Sequence, residues 1–111
     1  MTDFPKRGDI YWVNLDPTIG SEISKQRPCL VVSNNAGNEV SLRIIVAPIT
    51  SAAQQIYPFE VPVELSGKKC KILLDQVRTV DKSRLSNKIH GLESKVMVLV
   101  DKALKIALAL S

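Results

Sequence analysis

Short apolar runs separated by glycine and polar residues set the rhythm of this chain. Asp9 to Leu15, Cys29 to Ser33, Leu42 to Thr50, Tyr57 to Leu65 and Lys71 to Leu74 are each rich in Val, Ile, Leu or aromatic residues, and segments of that length and content form strands. Gly8, Gly20, Gly37, Gly67 and Gly91 all fall between these runs and punctuate them. Alternation is clearest after Pro58: Phe59, Val61, Val63 and Leu65 share one face, and Glu60, Pro62 and Glu64 the other. Pro62 donates no ladder hydrogen bond, which assigns it to an edge strand or a bulge. Leu30-Val31-Val32 and Ile44-Ile45-Val46-Ala47 are apolar at consecutive positions, so both of their faces are expected to be covered. One face meets a barrel interior and the other a helix or a second subunit.

The last stretch changes period. Val96, Met97, Val100, Ala103, Leu104, Ala107 and Leu108 recur at steps of three and four, with Lys95, Lys102 and Lys105 mostly opposite, which predicts an amphipathic helix. Ser94 is the expected N-cap. About five or six short strands followed by one helix make a mainly β domain over 1–111, a strongly bent sheet or barrel capped by a C-terminal α-helix. Strands and helices do not alternate, which disfavours a doubly wound α/β fold. The polar stretch Thr18 to Gln26 is the expected mobile loop, placed just before the strand that opens at Arg27-Pro28, a common position for function.

Composition narrows the chemistry. The 111 residues are 45% hydrophobic and 23% charged, ordinary values for a globular domain. The net charge of +4 admits an anionic partner without requiring one. No segment resembles a signal peptide and no apolar run approaches the roughly 20 residues of a spanning helix, so a cytoplasmic protein without a membrane is expected. The single histidine is His90 and the two cysteines are Cys29 and Cys70, which excludes a zinc site of closely spaced Cys and His ligands and a histidine pair for acid and base work. Both cysteines stand in apolar runs and read as buried free thiols. His90 reads as structural, and Tyr11 and Trp12 as packing residues of a core strand rather than base-stacking ones.

Arg27 begins an otherwise apolar strand and Thr50 ends another. Strand ends can bring a guanidinium and a hydroxyl to one rim, where the planar, permanently charged fork suits phosphate. Glu22, in the preceding loop, supplies an ionisable group. The bland reading stands beside this one: Arg27 pairs with Glu22 or Glu60 at the surface, and Thr50 closes a turn.

Several ordered segments carry a resemblance. Arg7-Gly8-Asp9-Ile10-Tyr11-Trp12-Val13-Asn14-Leu15-Asp16-Pro17, Gly20-Ser21-Glu22 and Gln26-Arg27-Pro28-Cys29-Leu30-Val31-Val32-Ser33 resemble the opening of the MazF/PemK family of toxin endoribonucleases. Ala47-Pro48-Ile49-Thr50-Ser51, Tyr57-Pro58-Phe59-Glu60-Val61 and Leu74-Asp75-Gln76-Val77-Arg78-Thr79-Val80-Asp81 follow in the family's order. The resemblance implies an SH3-like barrel that forms a homodimer, needs no metal or cofactor, and cuts single-stranded RNA at short motifs. By motif it maps catalysis to Arg27 and Thr50 and implicates Glu22, as base for the RNA 2′-hydroxyl or as a group that positions Arg27. It also implies an acidic antitoxin as partner. For RNA contacts the candidates are Ser21, Lys25, Gln76 and Arg78: Gln76 suits a base edge, and Arg78 or Lys82 suits phosphates. Arg78 has the alternative of an ion pair with Asp75 or Asp81. Lys68-Lys69-Cys70-Lys71 adds backbone affinity or forms a solvated hairpin turn. Where many family members carry glycines, this loop has Ile23-Ser24-Lys25-Gln26. Two other classes remain: a non-catalytic CcdB-like inhibitor of a protein target such as gyrase, and a barrel that only docks nucleic acid.

Overall fold

The computed structural model describes residues 3–22, 25–51 and 55–111. Among them are β1 (Asp9–Asn14), β2 (Gln26–Val31), α1 (Asn35–Val40), β3 (Arg43–Ser51), β4 (Glu60–Leu65), β5 (Lys68–Leu73), β6 (Arg78–Asp81), β7 (Leu85–Gly91) and α2 (Ser94–Ala107). All strand pairings are antiparallel, in the order β4-β5-β3-β2-β1-β7, with β6 paired to β3. β3 bends the sheet. Its first half pairs with β6 and β2, whereas Ile49, Thr50 and Ser51 pair with β5. The sheet therefore curls into a half-barrel with β4 and β7 at its free ends, and Pro62 lies on the edge strand that its missing N–H demands.

The consecutive apolar residues are covered on both faces within one chain. Leu30, Val32 and Ala47 pack with Ile49, Ile72 and the α2 residues Val100 and Ala103. Val31 and Val46 turn the other way, onto Val13, Leu15, Ile44 and Val80. The helix, not a second copy, covers the first face; Ile45 is the exception, 39% exposed.

Other expectations need correcting. Glu93, not Ser94, is the N-cap of α2, and no side chain caps it. Lys68-Lys69-Cys70-Lys71 opens β5, while the turn before it is Ser66-Gly67, both residues left-handed at φ 51° and 77°. That is the backbone a tight hairpin requires. The elements that no apolar run marks are α1, β6 and β7, the last being the final strand that the resemblance implies. α1 is held by polar wiring: Asn34 Oδ1 accepts from the Gly37 N–H at 2.7 Å, and the buried Asn38 donates to the Ser33 carbonyl at 2.9 Å. β6 is four residues long, and β7 half-buries only Leu85 and Ile89. No helix among the described residues is long and apolar enough to cross a membrane.

Candidate functional site

Arg27 and Thr50 come together because of strand register. Cys29 stands opposite Pro48 between β2 and β3, and that register continued toward the strand ends sets Arg27 against Thr50 where β3 swings away to pair with β5. Both residues line one cavity of about 280 Å³, with Trp12, Ser51, Lys68 and Cys70. Leu65 of β4 and Ile89 of β7 also reach it, so it occupies the gap where the curled sheet does not close.

Trp12 departs from the expectation of core packing: it is 40% exposed and faces this cavity. Alternation along β1 puts it on the side of Ile10, opposite Tyr11 and Val13. Tyr11 keeps the packing role, against the second core. Burial raises its phenol above the usual pKa, with nearby Asp9 adding to the effect. Whether the side of Trp12 is covered at the strand end depends on where the curled sheet leaves its gap, which sequence does not show.

A second cavity of about 360 Å³ lies alongside, lined by Leu15, Ser21, Glu22, Pro48, Gln76 and Arg78 among others. Pro48 and Thr50 point to the same side of β3 by alternation, the side of this second cavity. Burial pushes the pKa of the Cys29 thiol up to about 12, while the charges of Arg78 and then Arg27 pull it down. Arg27, opposite Val13 in the β1–β2 pairing, points to the same face as Cys29 and Pro48, as Thr50 does, whereas Trp12, opposite Pro28, points to the other face. Lys25 and Lys82 line neither cavity.

Most of the second group has local duties. Glu22 Oε1 accepts from the Ile19 N–H at 2.6 Å within its own loop. Arg78 Nη1 donates to the Leu15 carbonyl at 2.8 Å, and Arg84 Nη1 donates to the carbonyls of Asn14 and Asp16. Two guanidiniums therefore pin the base of the β1–β2 loop. Lys25, left-handed at φ 68°, accepts from the Leu15 N–H and donates its own to Asp16 Oδ1 at 3.0 Å. Of the loop expected to be mobile, Ile23 and Ser24 lie outside the described residues. Asp81 caps the turn at Ser83, and those hydrogen bonds, from the backbone N–H first, hold its carboxyl below the usual range. The Lys82 N–H donates to the Leu42 carbonyl at 2.8 Å. His90 is exposed, with Nδ1 3.0 Å from the Gly91 carbonyl.

A buried ion pair braces the wall behind Thr50. Thr50 is paired with Lys71 across β3 and β5, and Lys71 Nζ lies 3.0 Å from Glu60 Oε1, the two side chains only 11% and 7% exposed. Lys71 Nζ also donates to the Gln55 carbonyl at 3.3 Å, and Glu60 Oε1 accepts from the Tyr57 N–H at 2.9 Å. Glu60 is thereby engaged by Lys71 and the Tyr57 amide. Both cysteines are free thiols, but only Cys29 is fully buried; Cys70 is half-buried at the first cavity.

Residues 6–108 match the family described as PemK-like, MazF-like toxin of type II toxin-antitoxin system. Endoribonuclease EndoA of Bacillus subtilis (strain 168) is 45% identical over 95% of this chain and 95% of its own length. Endoribonuclease MazF of Staphylococcus epidermidis is 40% identical, covering 96% and 92%. Among solved structures, MazF from Deinococcus radiodurans superposes with a TM-score of 0.85 at 32% identity over 98% of this chain and 100% of that one. A mycobacterial endoribonuclease in complex with its cognate antitoxin gives 0.81 at 26% identity, covering 96% and 97%. With a curled antiparallel sheet, a C-terminal helix, Arg27 and Thr50 on one cavity, and this match over nearly its whole length, the chain belongs to the PemK-like, MazF-like toxin family of type II toxin-antitoxin systems.

Proposed function

We propose that the chain is a toxin endoribonuclease that cuts single-stranded RNA at short sequence motifs without a metal, acts as a homodimer in the cytoplasm, and is neutralised by a cognate acidic antitoxin. The observation that carries this reading is the convergence of Arg27 and Thr50 on one cavity, together with relatives named as endoribonucleases. In the reaction the RNA's own 2′-oxygen attacks the adjacent phosphorus while the bond to the 5′-oxygen breaks. The products are a 2′,3′-cyclic phosphate and a 5′-hydroxyl, and no protein nucleophile is used. The 2′ proton leaves to a base and the departing 5′-oxygen takes one up. Arg27 neutralises the charge that builds on the phosphorane, and Thr50 orients the phosphate by hydrogen bonding. Glu22 organises the β1–β2 loop, where its Oε1 accepts from the Ile19 N–H. Exposed apolar side chains on α2, including Val98, Leu99 and Ile106, supply surface for a second copy.

The test is incubation of the purified protein with a defined RNA in EDTA, beside Arg27→Ala, Thr50→Ala and Glu22→Gln. Wild type cuts and leaves 5′-hydroxyl ends. Arg27→Ala loses about 10²- to 10³-fold in rate, the cost of removing one preorganised charge stabiliser, and Thr50→Ala is also strongly impaired. Glu22→Gln, whose amide oxygen still accepts from Ile19, stays within about tenfold of wild type. A loss of about 10²- to 10⁴-fold would make Glu22 the general base instead. Intact RNA with wild type, combined with slowed supercoiling by gyrase, would establish the CcdB-like inhibitor.

A further inference from the structure

We infer that Lys71 and Glu60 are positioning residues for the reaction, their buried pair fixing Thr50 beside Arg27. The inference rests on the ribonuclease reading. Strand register carries it. Lys71 stands opposite Thr50 between β5 and β3, and the Cys29–Pro48 register, continued by two residues, sets Thr50 opposite Arg27 between β3 and β2. Lys71, Thr50 and Arg27 thus form one row across three adjacent strands. Directly opposed residues point to the same face of a sheet, with Cβ atoms roughly 4.5–5.5 Å apart. Lys71 and Arg27 therefore flank Thr50, on the face where Pro48 lines the cavity of Ser21, Glu22 and Gln76.

The lysine is committed to the protein rather than to a phosphate. Its ammonium lies 3.0 Å from Glu60 Oε1 and 3.3 Å from the Gln55 carbonyl, and the same Oε1 accepts from the Tyr57 N–H at 2.9 Å. The Glu60 N–H donates back to the Tyr57 carbonyl at 2.9 Å, which closes the turn at Pro58. Thr50 is next to last in β3, and the chain on its way to β4 is tied at Gln55 and Tyr57 to the side chain that stands beside it. Apolar residues of similar volume would fill this space and are often as stabilising as a buried ion pair, but they direct no hydrogen bonds. What the pair supplies is a fixed arrangement around Thr50. A misplacement of 1 Å in a group that orients the reacting atoms lowers the rate by about 10²-fold. Paired charges add no net pull on the RNA, so the effect falls on the chemical step and not on binding.

The test separates position from stability. Lys71→Met and Glu60→Leu in one chain remove the directed hydrogen bonds and leave no buried charge, so the unfolding midpoint in denaturant stays close to wild type. In cleavage of a defined RNA in EDTA, this double variant loses roughly 10- to 100-fold in kcat. Its KM is unchanged, the signature of an interaction made in the transition state. Because the pair acts through Thr50, the same double change made in Thr50→Ala lowers kcat no further. A merely structural pair would lower kcat by the same factor in both backgrounds. The inference is overturned if the double variant keeps the kcat of an active wild type, if its KM rises at unchanged kcat, or if the loss is as large in Thr50→Ala. Should the double variant not fold, Glu60→Gln, which keeps the side-chain volume and removes the charge facing Lys71, decides the matter. A several-fold fall in its kcat at unchanged KM, absent in Thr50→Ala, upholds the inference, and a wild-type kcat overturns it. Wild type that cuts no RNA overturns the ribonuclease reading and this inference with it, whereas a variant that keeps pace with an active wild type overturns the inference alone.

Discussion

The two neighbouring cavities differ in how they are built. The one with Arg27, Thr50 and Trp12 is walled mainly by strands, and its rim is braced by the Lys71–Glu60 pair. The one with Ser21, Glu22, Gln76 and Arg78 is walled by the β1–β2 loop and the 3₁₀ turn Leu74–Gln76, held at its base by guanidiniums donating to loop carbonyls. Their charge differs too. The strand-built cavity carries cations and no carboxylate among its described residues, whereas Glu22 and Asp75 join Arg78 in the other. Sites on regular elements hold geometry more tightly than sites on loops, and loops tolerate change. On the proposed function, the arrangement puts Arg27 and Thr50 on strands and the candidate substrate-reading residues Ser21 and Gln76 on a loop and a turn.

That contrast can be broken at three points. The largest effect is on stability, at the brace. Lys71→Met leaves Glu60 buried without its cation, and unfolding in denaturant is expected to show a loss of about 3 kcal/mol. Changing Glu60 to Leu in the same chain recovers most of it, because the uncompensated charge is gone. A loss within experimental error would mean that the wall does not depend on the pair. A middle-sized effect is expected at Gln76. Gln76→Ala redistributes the cut sites while the best site is still cleaved, with about 1–3 kcal/mol of discrimination lost at one base position. Sequencing the cut ends measures it, and a uniform fall in rate at all sites would move Gln76 from reading to chemistry. The smallest effect distinguishes the thiols. With its pKa pushed up to about 12, Cys29 is nearly all protonated near pH 8, and the thiolate is the reactive form. Iodoacetamide should add once per chain, at Cys70. Mass spectrometry reads the outcome, and an adduct on Cys29 would show that the sheet opens there.

Parts of the fold were legible wherever burial dictates residue type. The runs around Ile10, Leu30, Val46 and Ile72 had to be apolar because they fill two cores, and the period of Val100 and Ala103 had to be helical because α2 covers one of them. The elements that no apolar run marks are those whose stability is polar or borrowed. Asn34 and Asn38 wire α1 through hydrogen bonds, and β6 and β7 exist by pairing with β3 and β1. Within the site, Arg27 and Thr50 were visible as polar residues at apolar strand ends. The exposure of Trp12 was not, because an apolar residue in an apolar strand gives no sign of whether its side of the sheet is covered.

The residues by themselves determined a mainly β domain with a terminal helix, a chemistry lacking histidine pairs and clustered zinc ligands, and a resemblance that named the arginine and the threonine. Local composition suffices for these because strand, helix and ligand signals depend on neighbours in sequence. Only the tertiary structure decided that Arg27 and Thr50 stand side by side at one end of the sheet, on the face where Glu22 and Gln76 line a cavity, and that Trp12 is exposed on the other face. Those facts depend on how β2, β3 and β7 register against strands distant in sequence, and on where the curled sheet leaves its gap.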